Sequence, residues 1–109
     1  MTEEQEKFME ENVFPIISLA GESKSLAYEA LKLAKENKFN ESDEKMQEAD
    51  KLLLQSHQYQ TDLITKEADG EKFVINLLFI HAQDHLMTAI SEKNLINELI
   101  DILKMNNKK

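Results

Sequence analysis

Two histidines and an aspartate lie close together in the last third of the chain and are the side chains best suited to chemistry. His81, Asp84 and His85 stand at positions i, i+3 and i+4, with Gln83 among them. On an α-helix this spacing makes side chains neighbours on one surface. A neutral imidazole nitrogen can attack a phosphoryl group, and a carboxylate can bind a metal ion. The pattern therefore indicates a candidate site for covalent or metal chemistry.

Three interpretations of this polar group compete. It can be a satisfied polar layer that fixes the register of packed helices, because buried polar groups need partners. It can be a zinc site, since His-x-x-x-His places two ligands on one helical face. However, Ala82 stands where the metalloprotease signature requires glutamate. Finally, one histidine can be a nucleophile that holds a phosphoryl group covalently. The spacing alone does not choose between His81 and His85.

The rest of the chain predicts three long helices that carry this polar group. Glycine occurs twice and proline once, so few residues interrupt the helical pattern. Apolar residues at helical spacing predict helices over about 13–37, 41–67 and 72–105. Residues 3–11 can form a preceding helical segment, and Pro15 would then kink the join.

Two turns are predicted between the helices. Asn37 is expected to take the left-handed conformation that ends the first helix. Asn40 or Ser42 is expected to cap the second helix, since both side chains can accept a backbone hydrogen bond. Gly70 is expected to end the second helix, because glycine adopts positive φ without strain.

Three residues inside the first two helices depart from the apolar pattern. His57 and Gln60 are expected to be polar members of the bundle interior. Gly21 lies within the first helix, where glycine lowers stability by up to about 1 kcal/mol relative to alanine. It is expected either to allow close approach of two helices or to leave room beside His81.

The beginning of the third helix predicts an oligomer. Seven of the eight residues from Phe73 to Ile80 are apolar, and a helix that is apolar all round must be buried all round. Two partner helices of the same subunit cannot cover every side of it. We therefore expect this helix to lie at the centre of an oligomer or within a larger assembly.

Composition excludes several classes of function. The 109 residues suffice for one domain, and the absence of cysteine excludes disulfides and thiolate chemistry. The net charge is −8, and all thirteen basic residues are lysines without a basic stripe, so nucleic-acid binding is not expected. The acidic N-terminus is not a secretory signal, and no apolar run approaches the roughly 20 residues of a membrane span. A cytoplasmic protein without membrane insertion is the expectation.

The octapeptide from His81 to Thr88 resembles the signature of the lactose/cellobiose-type IIA proteins of the bacterial sugar phosphotransferase system. The turn at Gly70–Glu71 stands where that family enters its third helix. The first two helices carry further matches, at Ala20–Ser25, Ala27, Glu29–Leu31, Ala49, His57, Gln60 and Thr61. The resemblance extends over about residues 13–104, and Lys24 stands where members often carry arginine.

The resemblance implies an all-α fold, in which a three-helix antiparallel subunit assembles into a trimeric nine-helix bundle. Residues 1–109 would form a single IIA domain, with 1–12 as a helical or flexible extension. His81 matches the phosphorylated histidine, which accepts a phosphoryl group from phospho-HPr and passes it to a cysteine of the cognate IIB component. The membrane IIC sugar transporter is an indirect partner. The sugar itself, which can be lactose, cellobiose, chitobiose or another β-disaccharide, is not specified.

The other residues of the motif have secondary roles in the family. His85 matches an auxiliary histidine beside the phosphorylated one, and Gln83 matches a glutamine of the motif that is counted among the catalytic residues without a definite role. Asp84 matches an aspartate that points to the three-fold axis, where a structural Mg²⁺, one per trimer, would neutralise three carboxylates. The alternative is a catalytically silent helical module for interaction or regulation, in which the polar residues only set the oligomer register.

Overall fold

A computed structural model describes residues 2–107, and the polypeptide is helical over most of that range. The predicted domain 1–109 also includes Met1, Lys108 and Lys109, which lie outside the described residues. The helical elements are α1 (Glu3–Phe8), a π-helical segment (Met9–Val13), α2 (Phe14–Lys35), α3 (Phe39–Ala68) and α4 (Leu77–Asn107). The predicted all-α fold with three long helices is confirmed. The described chain forms a rod of 59 × 23 × 19 Å.

The N-terminal segment is helical and continues into α2. Thr2 and Gln5 form a reciprocal capping box, in which each side chain accepts a hydrogen bond from the other residue's backbone N–H. The π-helical segment follows, directly before Pro15 in the first turn of α2. Proline cannot donate the α-helical bond to the carbonyl four residues earlier. The wider π turn accommodates that loss at the place where a kink was predicted.

Small side chains allow α2 and α3 to pack closely together. The buried residues of α2 are Ile16, Ala20, Ser23, Ala27, Ala30 and Ala34. Three buried serines bond across this interface: Ser23 Oγ donates to the Ala49 carbonyl (2.7 Å), Ser42 Oγ to that of Ala30 (2.7 Å), and Ser56 Oγ to that of Ile16 (2.9 Å). Each bond satisfies a hydroxyl that would otherwise be buried without a partner.

The two predicted turns form, but the predicted cap of α3 does not. Asn37 has φ 64° and Gly70 has φ 102°, so both helix ends use the left-handed conformation that was expected. The residue before α3 is Lys38, whose side chain makes no capping hydrogen bond. The prediction of Asn40 or Ser42 as the cap is therefore wrong. Ser42 lies inside the helix and uses its hydroxyl to bond α2 instead.

The third long helix begins five residues later than predicted. Residues 71–76 are not helical, and α4 begins at Leu77. Asn76 explains this start, because its Oδ1 accepts a hydrogen bond from the Phe79 backbone N–H at 2.9 Å. The preceding segment is held by tertiary packing, since the ring of Phe73 stacks on Phe8 with centroids 5.0 Å apart. The prediction that residues 73–76, the first half of the apolar run, are helical is therefore wrong.

α4 covers the bundle on one side and leaves a long apolar stripe uncovered on the other. It packs against α2 more extensively than against α3. Its buried residues are Ala82, Leu86, Ala89, Ile96 and Ile100. The residues of the uncovered side, called the α4 stripe below, are Leu77, Ile80, Met87, Leu95, Leu99, Ile102 and Met105. Within residues 2–107, none of the helices combines the length and hydropathy of a membrane span.

Candidate functional site

The two motif histidines form a stacked pair on the surface of α4. The ring centroids of His81 and His85 lie 5.7 Å apart with an interplanar angle of 16°. This arrangement follows from the i, i+4 spacing, which places the two side chains one above the other along the helix. The His81 side chain is exposed, whereas His85 is half-buried against α2. The His81 imidazole is therefore accessible from solvent.

Helix α2 shapes the surroundings of His85. A Cβ atom built on Gly21 would lie 3.2 Å from His85 Nε2, which is tighter than ordinary contact. One of the two alternatives for Gly21 was clearance beside His81, but the histidine that the structure places there is His85. Burial, followed by the positive charges of Lys24 and His81, lowers the pKa of His85 below its usual 6.5, and Glu92 opposes this shift. The imidazole of His85 is thereby favoured in its neutral form at neutral pH.

A charged network continues from the histidine pair along the groove between α2 and α4. Lys24 Nζ lies 2.9 Å from Glu92 Oε2, and the Tyr28 hydroxyl donates to Glu92 Oε1 at 2.8 Å. The hydrogen bonds from Lys24 and then from Tyr28 lower the pKa of Glu92. The same carboxylate raises the pKa of Tyr28. Tyr28 and Glu92 were not predicted as part of the site, since they lie in different helices and belong to no recognisable motif.

Gln83 does not join the histidine pair within one subunit. Residues two positions apart on a helix project about 160° apart, so Gln83 and His85 lie on opposite flanks of α4. The Gln83 side chain accepts a hydrogen bond from the Gln60 side-chain amide of α3. Gln60 is buried, as predicted for a polar residue of the interior. His57 is exposed, so its predicted interior position is wrong; the helix turns its side chain to solvent.

Asp84 lies within the α4 stripe, between Ile80 and Met87. Its side chain is exposed, and no cation of the described residues forms an ion pair with it. Within residues 2–107 no cluster of three or more His, Cys, Asp or Glu side chains is placed to hold a metal ion. A single chain thus offers one hard oxygen ligand group here.

The fold and this surface define a small helical domain that carries a stacked histidine pair on its surface. The family model for the PTS system, lactose/cellobiose-specific IIA subunit, matches residues 11–104. The chain belongs to this family.

Individual relatives agree with this assignment. The galactose-specific EIIA component of Lactococcus lactis subsp. cremoris is 46% identical over 88 residues, which cover 81% of this chain and 76% of the relative. A crystal structure of the cellobiose-specific IIA from Bacillus anthracis has a TM-score of 0.89 at 44% identity, covering 100% of this chain and 95% of that one. The chitobiose IIA of Escherichia coli, solved in solution in complex with HPr, has a TM-score of 0.76 at 36% identity, covering 91% and 96%.

Proposed function

We propose that this IIA component is a phosphoryl carrier in sugar uptake and that His81 is the residue that carries the phosphoryl group. The observation that carries this proposal is the exposed His81 ring stacked on a half-buried second histidine. His81 would accept the phosphoryl group from phospho-HPr and pass it to a cysteine of the cognate IIB component. The solution complex of the chitobiose IIA with HPr supports the donor. Both steps belong in the cytoplasm, upstream of the membrane IIC transporter.

Phosphoryl transfer requires the protein mainly to position the reacting groups and to stabilise negative charge. The unprotonated ring nitrogen of His81 attacks phosphorus, so that the bond between phosphorus and the donor atom of HPr breaks as the N–P bond forms. In the second step a thiolate of IIB attacks the same phosphorus. The N–P bond then breaks, and its electron pair returns to the imidazole. No external oxidant or proton source is needed for either step.

Exposure selects His81 over His85 as the carrier. A donor and an acceptor protein must both reach the attacking nitrogen along the line of the breaking bond. The His81 ring is open on the surface of α4, whereas His85 packs against the backbone of Gly21. We therefore assign His85 an auxiliary role, in which its ring orients the His81 imidazole by stacking.

We further propose that three copies associate through the α4 stripe. Leu77 is 82% exposed and Leu95 is 62% exposed in the single chain. An exposed apolar stripe of this length, interrupted by Asp84, is typical of an interface rather than of a free surface. Cyclic symmetry about the stripe would bring three α4 helices together, giving the nine-helix bundle.

The stripe explains the position of Asp84. In such a trimer three Asp84 carboxylates would converge on the axis and repel one another. Carboxylate oxygens are the ligands that Mg²⁺ prefers, and its remaining positions can be filled by water. The residue set of the trimer therefore fits one structural Mg²⁺ held by Asp84 from each subunit.

The trimer would also place Gln83 of one subunit near the histidine pair of the next. His81 and Gln83 lie on opposite flanks of the α4 stripe, as their spacing requires. In a cyclic trimer the His81 flank of one subunit meets the Gln83 flank of the next. We propose that Gln83 acts on the phosphoryl group of the neighbouring subunit, where its amide can donate a hydrogen bond.

The carrier proposal is tested by intact-mass spectrometry after incubation with enzyme I, HPr and phosphoenolpyruvate. One acid-labile phosphoryl group per chain is expected in the wild type and in His85→Ala, but not in His81→Ala. Labelling that is lost only in His85→Ala would show that His85, one helical turn from His81, is the phosphorylated residue. An unlabelled wild type, with a donor shown to be active, would instead support the silent interaction module.

The trimer is tested by light scattering. We expect a mass three times that of the 12.6 kDa chain, and Leu95→Glu should dissociate it because the charge would enter a dry interface. Tyr59→Glu is the matched control, since Tyr59 is an exposed residue of α3 that lies beside α2 and outside the α4 stripe. A monomeric wild type would refute the trimer.

The metal site is tested with a chelator. EDTA should lower the melting temperature of the wild type at fixed protein concentration but not that of Asp84→Asn.

The proposal leaves the choice of sugar to other components. The relatives and structures named above are described as galactose-, cellobiose- and chitobiose-specific, yet they match this chain to similar extents. A phosphoryl carrier never contacts the sugar. We therefore expect sugar specificity to lie in the membrane component.

A further inference from the structure

The Lys24–Glu92 ion pair lies near enough to His85 for both charges to act on its pKa, and it has no role yet in the proposed transfer. Gly21, Lys24 and Tyr28 follow one another at i, i+3 and i+7 on the side of α2 that faces α4. Gly21 approaches His85, and Tyr28 bonds Glu92 two turns further along α4. Lys24 therefore lies between the level of His85 and the level of Glu92. The Lys24 ammonium itself points along α4 to Glu92, two turns beyond His85.

We propose that Lys24 is the cation that stabilises the phosphoryl group on His81, and that Glu92 competes with this group for the Lys24 ammonium. The pair would then set how strongly the protein holds the phosphoryl group. This inference rests on the proposed function, because it assigns a role in the same reaction.

Charge considerations single out Lys24. A phosphoryl group brings close to two negative charges at neutral pH, and the protein contains no arginine that could bind them as a fork. Lys93 and Lys104 of α4 are paired with Asp50 and Asp43 of α3, on the other side of the helix. The positive charge of Lys24, in contrast, contributes to lowering the pKa of His85, so its field reaches the histidine pair.

Glu92 is placed to act as a competitor. One of its oxygens bonds Lys24 at 2.9 Å and the other accepts from Tyr28 at 2.8 Å. The bond from Tyr28 holds the carboxylate in place even when Lys24 turns away. The side chains of Lys24 and Glu92 are 27% and 35% exposed, so the ammonium has room to turn on its flexible stem. Partial exposure also limits the effect through solvent screening.

The test measures the equilibrium of transfer between HPr and the protein. Purified phospho-HPr, freed of enzyme I, is mixed with an equimolar amount of each full-length variant, and the phosphorylated fractions are read by intact mass at neutral pH. Lys24→Gln should lower the equilibrium constant about two- to fivefold, because the phosphoryl group loses its cation and Glu92 loses its ion-pair partner. Glu92→Gln should raise it about threefold, because the ammonium is released. The double variant should return towards the wild-type value.

Two further variants separate charge from structure. Lys24→Arg keeps the positive charge and should restore most of the wild-type equilibrium. Lys104→Gln breaks an ion pair of similar length, 2.8 Å, far from the histidines and should leave the equilibrium unchanged. Equal losses in Lys24→Gln and Glu92→Gln, or no change in Lys24→Gln, would overturn the inference while the carrier function stands. A wild type that accepts no phosphoryl group at all would refute the carrier function itself.

Discussion

Replacing Gly21 by alanine should separate the stability of the protein from its activity. In the interior of α2 alanine is favoured over glycine by about 0.8–1.0 kcal/mol. The new methyl group would lie 3.2 Å from His85 Nε2, so the imidazole must shift by a few tenths of an ångström. This atom is the far end of a half-buried side chain, so the shift should cost little free energy. We expect Gly21→Ala to be between zero and about 1 kcal/mol more stable than the wild type.

Activity should fall in the same variant. The displaced His85 ring no longer stacks on His81 as before, and small errors in the position of reacting groups slow transfer steeply. We expect the rate of transfer from phospho-HPr to drop about three- to tenfold. Urea unfolding at fixed protein concentration gives the stability, and rapid-quench mass spectrometry gives the rate.

Gly70→Ala is the matched control for Gly21→Ala. Gly70 has φ 102°, and an added Cβ would meet nothing within 4 Å. Alanine in this conformation should cost about 1–2 kcal/mol, and the rate of transfer should be unchanged. If Gly21→Ala instead loses more than about 1 kcal/mol, glycine is needed there for helix packing and our reasoning fails. An unchanged rate in Gly21→Ala would refute the role of His85 in orienting His81.

Two other predictions concern single hydrogen bonds. Ser42→Ala removes the buried bond to an α2 carbonyl and should cost about 0.5–1.5 kcal/mol in urea unfolding, whereas exposed Ser25→Ala should change stability by less than about 0.5 kcal/mol. In a Tyr59→Phe background, absorbance should show Tyr28 ionising above pH 10.0, with a lower midpoint after Glu92→Gln. The sign follows because the bond to Glu92 needs the protonated phenol: its stabilisation is present below pH 10.0 and is lost as pH rises through the raised pKa. An unshifted midpoint would contradict the Tyr28–Glu92 bond.

The two turns and the three long helices could be predicted from the sequence. Asn37 and Gly70 were assigned correctly because left-handed conformations favour few residue types. The long helices followed from periodicity and from the scarcity of glycine and proline. The start of α4 could not be found in this way, because the run Phe73–Ile80 is apolar without a period. The one clue inside it was Asn76, a good N-cap residue.

The candidate site was predictable only where it lies on one helix. The spacing of His81 and His85 fixes their stacking, since it depends on α4 alone. Lys24 and Glu92 are 68 residues apart along the chain (92 minus 24), and no local pattern relates them. Their pairing depends on how α2 and α4 are placed side by side. For the same reason the sequence could not show that Gly21 faces His85.

The open position of the histidine pair has a consequence for how the proposed carrier would work with its partners. His81 lies on one side of a narrow rod, so a donor and an acceptor must occupy the same patch in turn. The two partners cannot dock on the same His81 at once, so the proposed transfer should follow ping-pong kinetics at each site. Each partner must leave before the next arrives, so throughput depends on fast dissociation. Selection should therefore favour weak, short-lived docking over tight binding at this surface.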